Sequence, residues 1–161
     1  KEVIEPTCEK EGYTKYTCTV CNHTYMDNYV SKINHTYEVK ENYIVDINPK
    51  TTYENFTKDI ETNSEFKVKE DGQNVTGKTL IKTGQKLAIG NQTFTLVVIG
   101  DTNGDGQANI KDILSINKHR LNKAQLVNEY LQAGDINEDG KVNLRDILQI
   151  NKYRLGKISE L

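Results

Sequence analysis

The sequence predicts three modules. Residues 100–161 read as an all-α module built on calcium-binding loops. Residues 37–99 read as a small α+β module, mostly β, and residues 1–36 as a small Cys-rich β-hairpin or zinc-knuckle-like module. Three observations carry this. Residues 100–121 and 134–155 repeat one another in register, from Gly100-Asp101 and Gly134-Asp135 to Arg120-Leu121 and Arg154-Leu155. Residues 37–99 hold short alternating apolar runs separated by turn residues, the pattern of half-buried strands. All three cysteines lie in the first 36 residues.

Each repeat opens with an oxygen-rich loop. Calcium takes six to eight oxygens at about 2.3–2.6 Å, and a twelve-residue loop supplies them from positions 1, 3, 5, 7, 9 and 12, with Gly at 6 for the turn. In the first copy these are Asp101, Asn103, Asp105, Gln107 (through its carbonyl), Asn109 and Asp112, with Gly106. In the second they are Asp135, Asn137, Asp139, Lys141, Asn143 and Asp146, with Gly140. Lys141 must act through its carbonyl, because an ammonium has no lone pair to offer. Three carboxylates per loop leave a net charge near minus one around a Ca²⁺. Position 12 is Asp rather than Glu, which brings the following helix closer to the ion. A single such loop could be only a polar turn; two in register, each before an apolar-periodic helix, point to two bound Ca²⁺.

Ile113, Leu114, Ile116 and Leu121 give the first helix one apolar face to bury, as do Ile147, Leu148, Ile150 and Leu155 in the second. Phe94 to Ile99 runs into the first loop as a strand. Residues 123–132 are predicted to form a bridging helix with Leu126, Tyr130 and Leu131 towards the core.

The tandem loop-plus-helix of 100–161, with its Gly-Asp-x-Asn-x-Asp-Gly openings, resembles a dockerin domain. The resemblance implies a non-catalytic, calcium-dependent module that binds a cohesin domain. It would anchor an extracellular bacterial protein to a multi-enzyme scaffold of cellulosome or amylosome type, or to the cell surface. By position it places the cohesin contacts at Ile110, Lys111, Lys118 and His119, and at Leu144, Arg145, Lys152 and Tyr153. Many dockerins carry a small hydroxyl pair such as Ser-Thr at the first two positions; Ile-Lys and Leu-Arg stand here. An aliphatic anchor beside a cation suits an interface. The near-equivalent copies imply two docking orientations related by roughly 180°.

In the middle segment, Tyr43–Ile47 reads as a strand and Thr51-Thr52-Tyr53-Glu54 as a capping box opening a helix to about Ile60. Strands follow over 65–69, 80–83, 86–89 and 93–99, with turns at Asp71-Gly72 and Gly90-Asn91. This segment resembles the accessory X modules found ahead of dockerins, and no Pro/Ser spacer separates it from the first loop, so the junction is expected to be rigid. In the first segment, Cys8, Cys18 and Cys21, with His23 or His35 as the fourth ligand, would close a tetrahedral zinc site; the alternative is reduced cysteines, or one disulfide and an odd thiol. The pattern of Cys8, Gly12-Tyr13, Tyr16, Cys18 and Cys21 is similar to a short Cys-rich repeat of Gram-positive surface proteins, and that resemblance implies His35 as the closing histidine.

The rest of the composition narrows the function. A net charge of −2 leaves no basic footprint for nucleic acid, and the longest aliphatic run, Leu96 to Ile99, is far short of a membrane span. With one Met, Met26, outside the loops, a sensor's Met-rich groove is not expected. The three histidines, His23, His35 and His119, form no triad pattern, so the chain is not expected to be an enzyme. It is expected to be a monomer when free, and the start at Lys1-Glu2-Val3 reads as the C-terminal piece of a larger protein. The alternative is a calcium- and zinc-stabilised structural or adhesion tail of a bacterial surface protein.

Overall fold

The computed structural model describes residues 1–4, 12–30, 34–35, 37–61 and 65–161. Among them run β1 (Glu2–Ile4), β2 (Gly12–Thr17), β3 (Thr24–Val30), β4 (Asn34–His35), β5 (Glu38–Lys40), β6 (Tyr43–Ile47), α1 (Tyr53–Lys58), β7 (Ile60–Glu61), β8 (Phe66–Glu70), β9 (Gln73–Asn74), β10 (Lys86–Ile89), β11 (Gln92–Val98), α2 (Ile110–Arg120), α3 (Asn128–Gly134) and α4 (Leu144–Arg154). Three antiparallel strands, β1-β2-β3, form the N-terminal sheet.

The central sheet has six strands in the order β5-β6-β11-β10-β8-β9, and β6 and β11 pair in parallel. Strand alternation drives it: along β8 Val68 points inward between exposed Lys67 and Lys69, and along β10 Leu87 and Ile89 do the same. The tight turn at Asp71 (φ 48°) and Gly72 (φ 80°) folds β8 onto β9 as a hairpin. Asp46, at φ 62°, marks the place where the β6–β11 register shifts. Asp tolerates that left-handed backbone better than a branched residue would.

The main core gathers Ile44, Ile47, Phe56, Ile81, Leu87, Leu96 and Val98. Phe56 comes from α1 and stacks on Tyr37, with ring centroids 5.2 Å apart. The Tyr37 hydroxyl donates to Asp59 (2.8 Å), and burial together with that carboxylate pushes the phenol pKa up. Phe56→Ala removes a fully buried ring, so denaturant unfolding should show a loss of about 3–5 kcal/mol.

The predicted fold class needs correction. The chain is mostly β, and residues 100–161 do not form a separate all-α module. Their three helices are short and linked by long loops, and the segment is built against the six-stranded sheet. Ala133 of α3 packs with Val45 and Val97 on the sheet in a cluster that spans both parts. The Gly100 N–H donates to the Ala133 carbonyl, so β11 passes into the first loop while already tied to α3.

Smaller corrections follow the same physics. The cap of α1 is Thr52, whose hydroxyl accepts from Asn55 N–H, while the Thr51 hydroxyl turns back to the Asn48 carbonyl. Residues 80–83 make only an isolated bridge, Leu80 with Thr52, before a turn. The bridging helix begins at Asn128, and Leu131 is exposed. The strands expected over 43–47, 86–89 and 93–99 form as β6, β10 and β11, the last one residue earlier than expected.

Candidate calcium-loop site

The first loop is organised by two buried carboxylates. Asp101, fully buried, accepts four backbone N–H groups: Gly104 (2.8 Å) and Asp105 (2.9 Å) on Oδ1, Gly106 (2.9 Å) and Thr83 (3.0 Å) on Oδ2. Asp112 accepts Thr102 N–H and the Asn103 amide on Oδ1 (3.0 and 2.8 Å) and Asn109 N–H on Oδ2 (2.8 Å). Burial, and then the Asp101 and Asp105 charges, push the Asp112 carboxyl up to about 6; burial also raises Asp101. A buried carboxylate held near others of its own sign favours a cation beside it.

The second loop repeats the pattern in a more open setting. Asp135 accepts Asp139 N–H (3.1 Å) and Gly140 N–H (2.8 Å), and Asp146 accepts Ile136 and Asn143 N–H (3.0 and 2.8 Å). Asp146 is fully buried, Asp135 half-buried, and Asn137, Asp139, Gly140 and Lys141 exposed.

Asn109 and Asn143 cap the two long helices. Each side-chain oxygen accepts a backbone N–H (Lys111 or Arg145, both 2.9 Å), and Asp112 or Asp146 completes a capping box. The carboxylates at position 5 turn towards the helix-start cations: Asp105 to Lys111 and Asp139 to Arg145, both at 3.3 Å. The donor set of each loop is oxygen throughout, which fits a hard cation.

Among the described residues, the acidic trio whose ligand atoms lie within 4.8 Å of one another is Glu38, Asp46 and Glu138, not a set within either loop. Lys40 sits among them, 3.0 Å from Glu38 and 2.8 Å from Glu138, so a cation is already supplied there.

Each long helix is apolar on two sides. Ile113 and Ile116, with Ile147 and Ile150, are buried in a cluster shared by α2 and α4. Leu114, Leu121, Leu148 and Leu155, expected inside, lie at the surface with Ile110 and Leu144; all six are 53–60% exposed. The reason is the narrow α2–α4 seam, which takes one stripe from each helix. The second stripe, 110-114-121 and 144-148-155, was readable as spacings of four and seven, but sequence alone did not say which side the partner helix takes.

Lys111, Arg145 and Lys118 face solvent beside this stripe, with Lys152 half-exposed. His119 and Tyr153 turn inward: His119 Nδ1 accepts Leu126 N–H (3.0 Å), and Tyr153 packs on the helical core with the Lys50 ammonium 5.9 Å above its ring. Cys18 and Cys21 are exposed at the β2–β3 tip, where Asn22 N–H donates to the Cys18 carbonyl (3.0 Å). Hydrogen bonds from the Cys21 and Val20 backbone N–H groups hold the Cys18 thiol pKa down. Cys8 lies outside the described residues, and His35 is described only as backbone in β4, paired with Ile60.

No curated protein matches the chain, and no solved structure does. Residues 99–155 match the family model described as Dockerin type I domain. Dockerin domains are non-catalytic modules that bind calcium and dock onto cohesin domains, and they occur on extracellular bacterial proteins. A segment matched to that family, with two Asp-rich loops each capping a helix in the same way, makes residues 99–155 of this chain a type I dockerin domain.

Proposed function

We propose that this chain anchors its parent extracellular protein to a cohesin-bearing scaffold of cellulosome or amylosome type, or to the cell surface, through either of two helix faces. Two Ca²⁺ would be held, one by Asp101, Asn103, Asp105, the Gln107 carbonyl and Asp112, the other by Asp135, Asn137, Asp139, the Lys141 carbonyl and Asp146. Asn109 and Asn143 already use their side-chain oxygens as caps, so their share in coordination would run through water. The observation that carries the reading is the duplicated exposed aliphatic stripe, flanked in both copies by Lys111 and Lys118 or Arg145 and Lys152. Exposed aliphatics at the centre with cations at the rim are the anatomy of a partner-binding surface.

Calorimetry of the whole chain against a panel of cohesins, in calcium and in EDTA, tests this. Binding in calcium alone, with two Ca²⁺ per chain, is expected. Equal binding in EDTA would overturn the calcium requirement. Two bound Ca²⁺ with no cohesin captured would favour the alternative, a metal-stabilised structural or adhesion tail. The Cys18–Cys21 knuckle is the observation on that side, and zinc analysis of the same preparation would count the zinc that Cys8, Cys18, Cys21 and His35 are proposed to hold.

A further inference from the structure

The two calcium loops match in sequence but not in surroundings. The first is clamped by the six-stranded sheet and its connections. Lys50 N–H donates to the Gly106 carbonyl (2.8 Å), and Thr83 N–H donates to Asp101 Oδ2 (3.0 Å). Thr83 is itself fixed, since its hydroxyl bridges the Val98 N–H (3.0 Å) and carbonyl (3.3 Å) at the end of β11. Gly106 presses on this turn so closely that a Cβ there would lie 2.6 Å from the Ile81 carbonyl oxygen. The matching position in the second loop, Gly140, has nothing within 4 Å. Among the described residues, the exposed Lys40–Glu138 pair links the sheet to that loop, and water and salt screen it.

We propose that the turn 80–84 is a built-in part of the first calcium site, with Thr83 as a positioning residue for Asp101, and that this makes the first site the tighter of the two. The inference rests on the loops being calcium sites. Two physical terms favour the first. Its backbone is already held in place, so less ordering is left for the ion to impose. Its first carboxylate is buried and aimed by a donor from outside the loop, and losing such an outer partner typically costs about 10–100-fold in metal affinity. The second loop, open to water and short of that donor, lacks both.

The test is a calcium titration of the isotope-labelled whole chain, followed by amide NMR. Gly104, Gly106 and Thr83 report the first loop, Asp139 and Gly140 the second. The first equivalent of calcium should move Thr83 together with Gly104 and Gly106, and the second should move Asp139 and Gly140. Calorimetry of G106A and G140A gives an independent comparison, because both glycines share the left-handed backbone (φ +77° and +79°) and, of the two, Gly106 is pressed against residues 80–82. G106A should weaken the tighter step by about 10–100-fold, and G140A should weaken only the looser one, by less. Loops that fill together, a second loop that fills first, or a Thr83 amide that stays still while Gly104 and Gly106 move would overturn the proposal. If G106A does not fold, the titration of the unaltered chain decides. Neither set of amides moving would remove the calcium reading itself, an outcome distinct from both loops moving at once.

Discussion

Replacing Ile110, Leu114, Leu144 and Leu148 together by Asp should abolish cohesin binding, whereas replacing either pair alone should weaken it only about twofold. The asymmetry follows from counting. With two equivalent docking orientations the association constant is the sum of two equal terms, and removing one halves it, about 0.4 kcal/mol. All four side chains are more than half exposed, so the exchange leaves the Ile113–Ile116 and Ile147–Ile150 seam intact and circular dichroism should not change. Calorimetry on the three variants checks this. A full loss from the first pair alone would mean that only one face docks.

The second large effect is expected at Asp101. Asp101→Ala strands four N–H donors, two of which, on Gly106 and Thr83, lie at buried residues. Each orphaned buried donor costs about 1–3 kcal/mol, so the unfolding free energy should fall by on the order of 4 kcal/mol. Because the Thr83 hydroxyl is bonded to Val98 at the end of β11, the loss should also show as faster amide exchange at Val98, not only within the loop. Asp135→Ala removes an acceptor of two N–H groups in a loop open to water, and should cost less than half as much. Equal losses from the two variants in chemical denaturation would contradict the difference in burial.

The loops were legible because each position type recurs at a fixed offset, and the capping boxes are written into the same residues. The strands over 43–47, 86–89 and 92–98 were legible as short apolar runs bounded by turn residues, although β11 buries Phe94 to Val98 in a row instead of alternating. What stayed hidden has a common cause: it depends on backbone groups or on neighbours remote in sequence. Thr83 acts on Asp101 through its N–H, which any residue except proline would offer, so nothing in its side chain advertises the role. Residues 80–83 looked like a strand because Leu80 and Ile81 are apolar, yet Ile81 is buried from a turn that spans the core and the loop. The second aliphatic stripe of α2 and α4 was counted with the first, since periodicity names the faces of a helix without saying which is covered. The all-α expectation failed for a related reason: a helix pattern carries no record of the sheet that receives it.

The parallel pairing of β6 with β11 has a consequence for reach. Glu38 lies opposite Val45, and Ile47 opposite Val98, so the chain joins the six-stranded sheet and leaves it at the same end. Those two points are separated by about two strand spacings, ~10 Å. Although about sixty residues lie between them, the sheet adds almost no length between what precedes Glu38 and the helices that follow Gly100. It hangs beside the tether instead of extending it. Whatever leads into Glu38 therefore meets the sheet at the end from which the chain leaves for the helices.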